Sequence, residues 1–149
     1  MLANVSGCAS AAADVQVGDC VQLAGTQNRP EVIKVECGSP QSNFKVAATV
    51  DDIGQCPADV DTSYSRRGVF GDAGQTVCMD IDWVVGDCMS VDPQNDRDPA
   101  RVDCADGSAP HRQRATQILP NAASVDQCVS GVGYAYAERQ FTVCVENVR

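Results

Sequence analysis

The sequence predicts an α+β fold made of two tandem units, each a small disulfide-linked antiparallel sheet with a short helix. The chain of 149 residues contains nine cysteines, and no two of them form a CxxC pair. The four-residue motif VGDC occurs twice, at Val17–Cys20 and at Val85–Cys88. Hydrophobic residues make up 44% of the chain, which is enough for one modest core or two small ones.

The order of the cysteines indicates an internal duplication. Four cysteines match four others in the same order, at offsets of 68, 67, 72 and 66 residues. A repeat at a fixed period is the signature of a copied structural unit. We therefore expect a leader segment at 1–14, unit one at 15–81 and unit two at 82–149. Because no Pro, Gly or Ser linker interrupts Asp80–Trp83, we expect the units to pack as one pseudo-symmetric body.

The strands of each unit follow from short alternating segments. The first is expected to end at the Gly-Asp turn of VGDC. The second, Ile33–Cys37 or Arg101–Cys104, alternates apolar and polar residues as a half-buried strand does. A third strand in unit one would place on one face Phe44, Val46, Ala48 and Val50. The last strand lies at Thr76–Ile81 in unit one and Phe141–Val145 in unit two.

A short helix is expected to carry the third cysteine of each unit. In unit two, Ser124 and Gln127 have the spacing of a capping box, and helical spacing continues through Val125, Cys128, Val129 and Val132. In unit one, Pro57 suits the first helical position. The residues spaced four apart there are Cys56, Val60 and Tyr64.

The wide spacing of the cysteines favours disulfides over a zinc site, because structural zinc sites nearly always contain closely spaced ligands. Disulfides in turn indicate an oxidising compartment outside the cytoplasm. If both units repeat one internal pattern, three pairing schemes remain. The preferred scheme joins first to second and third to fourth cysteines: Cys20 with Cys37, Cys56 with Cys78, Cys88 with Cys104, and Cys128 with Cys144.

The ninth cysteine, Cys8, lies in a segment that resembles the end of an export signal. Val5–Cys8 is similar to the lipobox of bacterial lipoproteins, in which the cysteine is lipidated and becomes N-terminal. Alternatively, Ala9–Ala13 satisfies the small-residue rule for ordinary signal cleavage, and Cys8 is then removed. Either alternative leaves eight cysteines for pairing. No segment approaches the length of apolar sequence that spans a membrane, so a lipid anchor is the only membrane attachment expected.

Composition limits the partners and the chemistry. A formal net charge of -9 disfavours nucleic acids and anionic membrane surfaces, which would repel the chain. We expect an envelope protein or a small ligand as the partner, with no cofactor, no metal and no catalytic residue. The chain has one histidine and none of the common catalytic motifs. The candidate ligand contacts are Trp83, His111, Arg112 and Tyr134, although Trp83 also suits a core position and His111 a surface turn.

Two further segments have a weaker functional pattern. The acidic loop Asp92–Asp98 is partly similar to a calcium loop, but Gln94 and Arg97 stand where such a loop needs an oxygen ligand and a glycine. A solvated turn is therefore expected there. A second candidate patch comprises the pair Arg66 and Arg67 together with Tyr134, Tyr136 and Arg139, expected in loops before the fourth cysteine. These residues would either recognise a partner or complete the surface of the fold.

The set of VGDC, a following V-x-C, a third cysteine after a polar stretch and a final T-V-C resembles the LppU-type family of actinobacterial cell-envelope lipoproteins. A looser likeness exists to the septum-formation domain, which opens with a Gly-Asp-Cys strand. The resemblance covers residues 15–147. It implies an exported protein of mycobacteria or their relatives, either lipid-anchored or secreted, and transfers no catalytic residue.

Three functional hypotheses follow. The first is a non-enzymatic binding or accessory module of the cell envelope. The second is an envelope hydrolase with His111 and Asp residues in a groove between the units, which needs a carboxylate within hydrogen-bond distance of His111. The third, a purely structural protein, differs from the first by lacking an exposed apolar patch.

Overall fold

The computed structural model describes residues 15–25, 30–65, 75–92 and 97–149. These residues form two compact units. The first unit holds the described residues through Cys56 together with Asp61–Asp82, and the second holds Pro57–Val60 and Trp83–Arg149. Each unit is built on one five-stranded antiparallel sheet. The expected α+β class is therefore wrong in its helical part, since the described chain is far richer in strand.

The first unit contains strands β1 to β5 in the order β2-β1-β3-β5-β4. Every pair of neighbouring strands is antiparallel. The strands are β1 (Cys20–Gly25), β2 (Pro30–Val35), β3 (Phe44–Val50), β4 (Thr62–Ser65) and β5 (Thr76–Ile81). Its buried apolar side chains include Val21, Phe44, Val46, Val77 and Met79.

The second unit repeats this order with strands β6 to β10, arranged β7-β6-β8-β10-β9. The strands are β6 (Cys88–Ser90), β7 (Ala100–Val102), β8 (Arg112–Pro120), β9 (Gly133–Tyr136) and β10 (Phe141–Asn147). Adding five to each strand number of the first sheet gives the order of the second. Its buried apolar side chains include Met89, Ala115, Tyr136, Val143 and Val145.

An irregularity in pairing recurs at the same place in both sheets. Ala47 of β3 is skipped in the register with β5, and Thr116 of β8 is skipped in the register with β10. Such a bulge shifts the alternation of side chains by one residue. As a result, Ala48 pairs with Cys78 and lies on the face opposite Val46. The single shared face predicted for Phe44, Val46, Ala48 and Val50 is wrong for this reason.

The predicted helices are replaced by single 3-10 turns that end immediately before the third cysteine. The turns are Ile53–Gln55 and Val125–Gln127. In the second, the Ser124 hydroxyl accepts from the Asp126 N–H, and the helix ends because Cys128 is extended at φ -78° and ψ 135°. A full capping box occurs in unit one, between Asp52 and Gln55, where the sequence did not suggest it.

The chain after each third cysteine also differs from the prediction. Pro57–Val60 forms no helix, and Tyr64 lies in strand β4. In unit two, Gly133–Tyr136 forms β9. The helix prediction in unit one thus extended into the edge strand β4, whereas in unit two the edge strand β9 lies where a loop was expected. The first strand also differs, because it begins at Cys20 or Cys88, after the Gly-Asp turn, and does not end there.

Four disulfides connect strands and turns within the described chain. They join Cys20 to Cys37, Cys56 to Cys78, Cys88 to Cys104 and Cys128 to Cys144. This is the first-to-second and third-to-fourth scheme that the repeat suggested. Four disulfides indicate an oxidising environment outside the cytoplasm. Within the described ranges no helix has both the length and the apolar character needed to cross a membrane.

Candidate functional site

The repeated VGDC motif forms the same turn in both units. In the first, the Asp19 N–H donates to the Gln16 carbonyl at 3.0 Å, and Gly18 has φ 94°. In the second, the Asp87 N–H donates to the Val84 carbonyl at 2.9 Å, and Gly86 has φ 95°. A positive φ at the third residue of such a turn requires glycine. The exposed Val17 and Val85 occupy the second position of their turns.

The aspartate of each motif connects the turn to the neighbouring strand. The Asp19 carboxylate accepts the Gln16 N–H at 2.9 Å and lies 3.2 Å from the Lys34 ammonium. In unit two, Asp87 lies 3.1 Å from Arg101. The motif thus supplies a turn, an ion pair and a disulfide in four residues. These contacts account for every residue type in the motif except the valine, so we interpret VGDC as a structural motif and not as a functional site.

Two of the candidate ligand contacts, Trp83 and Tyr134, lie together in the second unit. Their rings stack with centroids 5.4 Å apart and an interplanar angle of 26°. Trp83 is only 8% exposed, and its indole N–H has no hydrogen-bond partner among the described residues. The Tyr134 hydroxyl donates to the Gln113 side chain, whose amide nitrogen donates to Asn147 at 3.2 Å. This burial favours a core role for Trp83 over ligand stacking.

Arg112 is also buried, on the other face of β8 from Gln113 because side chains alternate along a strand. Its Nη1 donates to the Cys104 carbonyl at 2.5 Å, and its Nε has no partner within the described part of the chain. The contact joins β8 to the loop that carries the Cys88–Cys104 disulfide. Arg112 therefore holds this loop and does not lie beside Trp83 and Tyr134.

His111 lies at the surface, in the left-handed backbone region with φ 50°. Its side chain is 61% exposed, and its Nε2 atom is 3.7 Å from the Oδ1 atom of the buried Asp92. This separation exceeds a hydrogen bond, although an ion pair forms when the imidazole is protonated. The hydrolase hypothesis requires a closer carboxylate, so this geometry gives it no support.

The best-defined electrostatic cluster surrounds Arg139, in the turn between β9 and β10. Its Nε donates to Asp59 Oδ1 at 2.8 Å, and its backbone N–H donates to Asp59 Oδ2 at 2.9 Å. The guanidinium carbon lies 5.5 Å from the Tyr136 ring centroid and 5.4 Å from that of Phe141. Those two rings stack in parallel with centroids 4.3 Å apart. Arg139 is thus fixed by aromatic contacts on one side and a carboxylate on the other.

The pKa of Asp59 is lowered from its ordinary value of 3.8. Burial by itself would raise this pKa, but the hydrogen bonds and the positive charge of Arg139 outweigh it. A folded-state pKa below the unfolded one means that the unfolded chain binds more protons at acid pH. The stabilisation from Asp59 is therefore complete above pH 3.8 and is lost as the pH falls through the folded-state pKa.

We accordingly expect Asp59→Asn to destabilise the protein at neutral pH and to have little effect in strong acid. Urea unfolding of both proteins over a pH series from 7 to below 3.8 measures the difference. Asp126→Asn, at an exposed position, controls for the change in net charge. A difference between Asp59→Asn and wild type that stays constant across the series would contradict the assigned role of the carboxylate.

Among the described residues, the apolar side chain with the largest exposure is Val129, at 92%. It follows Cys128, and its backbone N–H donates to the Gln117 side chain at 3.4 Å. Val132, three residues later, is 42% exposed, and Ile118, next to Gln117 on β8, is 44% exposed. We call Val129–Val132 the valine loop. It presents apolar side chains to solvent from a segment fixed by a disulfide.

Several candidates lie outside the described residues. They are Cys8, Arg66, Arg67 and the middle of the acidic loop, residues 93–96. Of that loop's described ends, Asp92 is buried and Asp98 is exposed. Over the ranges that the structure covers, no group of three or more His, Cys, Asp or Glu side chains could hold a metal ion.

Sequence reasoning missed the pairing of Asp59 with Arg139. The two residues are 80 positions apart, and the duplication does not help because Gly131 stands at the position of Asp59 in the second repeat. A sequence pattern could have predicted the strand that contains Tyr134 and Tyr136, since the two aromatic residues alternate with smaller residues in Gly133–Tyr136. Comparison of the chain with protein-family models, with curated proteins and with solved structures found no match.

Proposed function

We propose that this protein is an exported, non-enzymatic binding module of the cell envelope, and that the valine loop contacts its partner. The observation that carries the proposal is the exposure of Val129 at the end of a disulfide-fixed turn. A branched aliphatic side chain held in water costs free energy that burial against a partner would recover. The hypothesis of a purely structural protein predicts no such surface.

The rigidity of the loop supports a binding role. The Ser130 hydroxyl donates to the Val145 carbonyl at 2.7 Å, and the Val145 N–H donates to the Val132 carbonyl at 3.0 Å. With the Cys128–Cys144 disulfide, these contacts tie the loop to β10 at three points. A preorganised loop loses little conformational entropy on binding, so its apolar contacts contribute more to affinity.

Location in the envelope is supported by the disulfides and by the lipobox-like residues around Cys8. The resemblance to LppU-type lipoproteins and, more loosely, to the septum-formation domain points to the same compartment. Under this proposal Cys8 either anchors the chain to the outer face of the plasma membrane or is removed on secretion. The net charge of -9 favours a partner whose contacting surface is neutral or basic.

The proposal is tested by site-specific photo-crosslinking in intact cells of an actinobacterial host. A photo-reactive residue replaces Val129 in one variant and Gly107 in a matched control. Gly107 is also exposed in a loop of unit two, and a side chain there meets no neighbour within 4 Å. We expect position 129 to give a discrete crosslinked species, identified by mass spectrometry, that position 107 does not give. Equal labelling from both positions, or none from position 129, would rule out the valine loop as the contact.

A further inference from the structure

The turn between β9 and β10, residues 137–140, has the features of a binding site already filled by another part of the chain. Its occupant is Pro57–Val60, which groups with the second unit although its neighbours Cys56 and Asp61 group with the first. Two consecutive residues of this segment make the polar contacts. The Ala58 N–H donates to Glu138 Oε1 at 3.1 Å, and the Asp59 carboxylate accepts from Arg139.

Arg139 supplies two of the donors for the Asp59 carboxylate. The backbone N–H and the Nε of Arg139 take one carboxylate oxygen each, at 2.9 and 2.8 Å. Two charge-assisted or backbone donors in a fixed geometry recognise a carboxylate far better than a single mobile cation. The neighbouring Glu138 adds an acceptor for the N–H of Ala58, the residue before Asp59. Glu138 and Arg139 together therefore recognise an X-Asp dipeptide, through the backbone N–H of its first residue and the negative charge of its aspartate.

The turn is held in shape independently of the segment that fills it. Gln140 has φ 60°, and its side-chain amide donates to the Ala137 carbonyl at 2.5 Å. Tyr136 is buried and stacks on Phe141, and these two rings support the Arg139 guanidinium. The recognition groups and their supports thus belong to one hairpin. The Asp59 side chain is 11% exposed in this site.

We infer that the β9–β10 turn is a binding site for an aspartate-bearing peptide segment, and that Ala58 and Asp59 fill it as a ligand supplied by the chain itself. Covalent linkage gives such an internal ligand a high effective concentration, so it excludes weak external peptides. A segment presenting an accessible N–H followed by an Asp side chain has the chemistry to replace it. This site is separate from the valine loop, and the inference does not depend on the proposed function.

The test uses the full chain with Asp59→Ala, which empties the carboxylate position while the turn remains. The probe is the blocked peptide acetyl-Pro-Ala-Asp-Val-amide, compared with the same peptide carrying Asn in place of Asp. We expect the Asp peptide to shift the backbone amide resonances of Glu138, Arg139 and Gln140, with a dissociation constant on the order of 1–10 mM. Binding of the Asn peptide should be at least about tenfold weaker, since the charge-assisted bonds are lost.

Two further proteins make the result decisive. Wild type should bind neither peptide, because its own Asp59 occupies the site, and Asp59→Ala/Arg139→Lys should lose the preference for the Asp peptide. If Asp59→Ala fails to fold, Asp59→Asn replaces it. Acetate should also raise the melting temperature of the Asp59 variant more than chloride does at equal ionic strength, and leave the Asp126→Ala control unchanged. Equal binding of both peptides, or no resonance shift together with no acetate effect, would show a fixed ion pair and overturn the inference.

Discussion

Replacement of both Cys128 and Cys144 by alanine is expected to lower the free energy of unfolding by about 3 kcal/mol. The disulfide closes a loop of sequence separation 16, which restricts the unfolded chain and removes conformational entropy from it. Both cysteines are buried, with Cys144 at 0% exposure, so the alanines also lose packing contacts. Replacing both partners together avoids leaving a reactive buried thiol.

The measurement is equilibrium unfolding in urea, with Cys8→Ser as the matched control. The eight described cysteines are all paired in the four disulfides, so we expect Cys8→Ser to change stability by less than about 0.5 kcal/mol. A double variant as stable as wild type would mean that this disulfide does not restrict the unfolded chain. A large effect of Cys8→Ser would contradict the pairing scheme.

The disulfides are expected to contribute strongly to stability because each unit has a small hydrophobic core. Aromatic residues make up only 5% of the chain, and each sheet has short strands, such as β6 and β7 with three residues each. Small domains with a limited core commonly depend on disulfides for their stability. The position of each third-to-fourth disulfide is consistent with this role, since it fixes the turn that precedes an edge strand to the neighbouring inner strand, β5 or β10.

The cysteine pattern could be read from the sequence because it is covalent and repeated. Four cysteines in one order matched four in another, and one internal pairing scheme applied twice gave all four disulfides. The strands β2 and β5 were also recognisable, β2 from its alternation of apolar and polar residues and β5 from the apolar residues Val77, Met79 and Ile81 at every second position. These features depend on residues close in sequence or on the duplication.

The helices were mispredicted because the spacing of four residues in Cys56, Val60 and Tyr64 arises by chance in a turn followed by a strand. Each 3-10 turn ends after three residues because the backbone of the third cysteine is extended, and no local sequence pattern indicates this conformation. The bulges at Ala47 and Thr116 were equally hidden, since they result from pairing with β5 and β10. Tertiary pairing overrode local preference in each case.

The candidate site was less accessible to sequence reasoning than the fold. Trp83 and Tyr134 were both named, but their stacking and burial depend on how β9 pairs with β10. Arg139 was named as a residue that either recognises a partner or completes the surface, whereas its contact with Asp59 joins positions 80 residues apart. A single sequence gives no indication of a contact between residues so far apart when the second repeat does not contain the equivalent pair.

Gly133→Ala is expected to lower the free energy of unfolding by about 3 kcal/mol, at the upper end of what overpacking costs. A Cβ atom at Gly133 would lie 2.3 Å from the Val143 carbonyl oxygen and 3.1 Å from Cys144 Cα. Both obstructing atoms belong to the backbone of β10, so no side-chain rotation can relieve the clash. Strand β9 must therefore move away from β10, and its pairing from Gly133 to Tyr136 must weaken.

The single tryptophan offers a second readout for the same variant. Trp83 stacks on Tyr134, the residue after Gly133, so displacement of β9 should expose the indole and shift its fluorescence emission to longer wavelength. Gly107→Ala is the matched control, because a Cβ there meets nothing within 4 Å, and it should be neutral or slightly stabilising. Strand β4 carries Ser63 opposite Cys78, where β9 carries Gly133 opposite Cys144, so a side chain is tolerated at this position in unit one. If Gly133→Ala retained wild-type stability and emission, the close approach of β9 to β10 would be wrong.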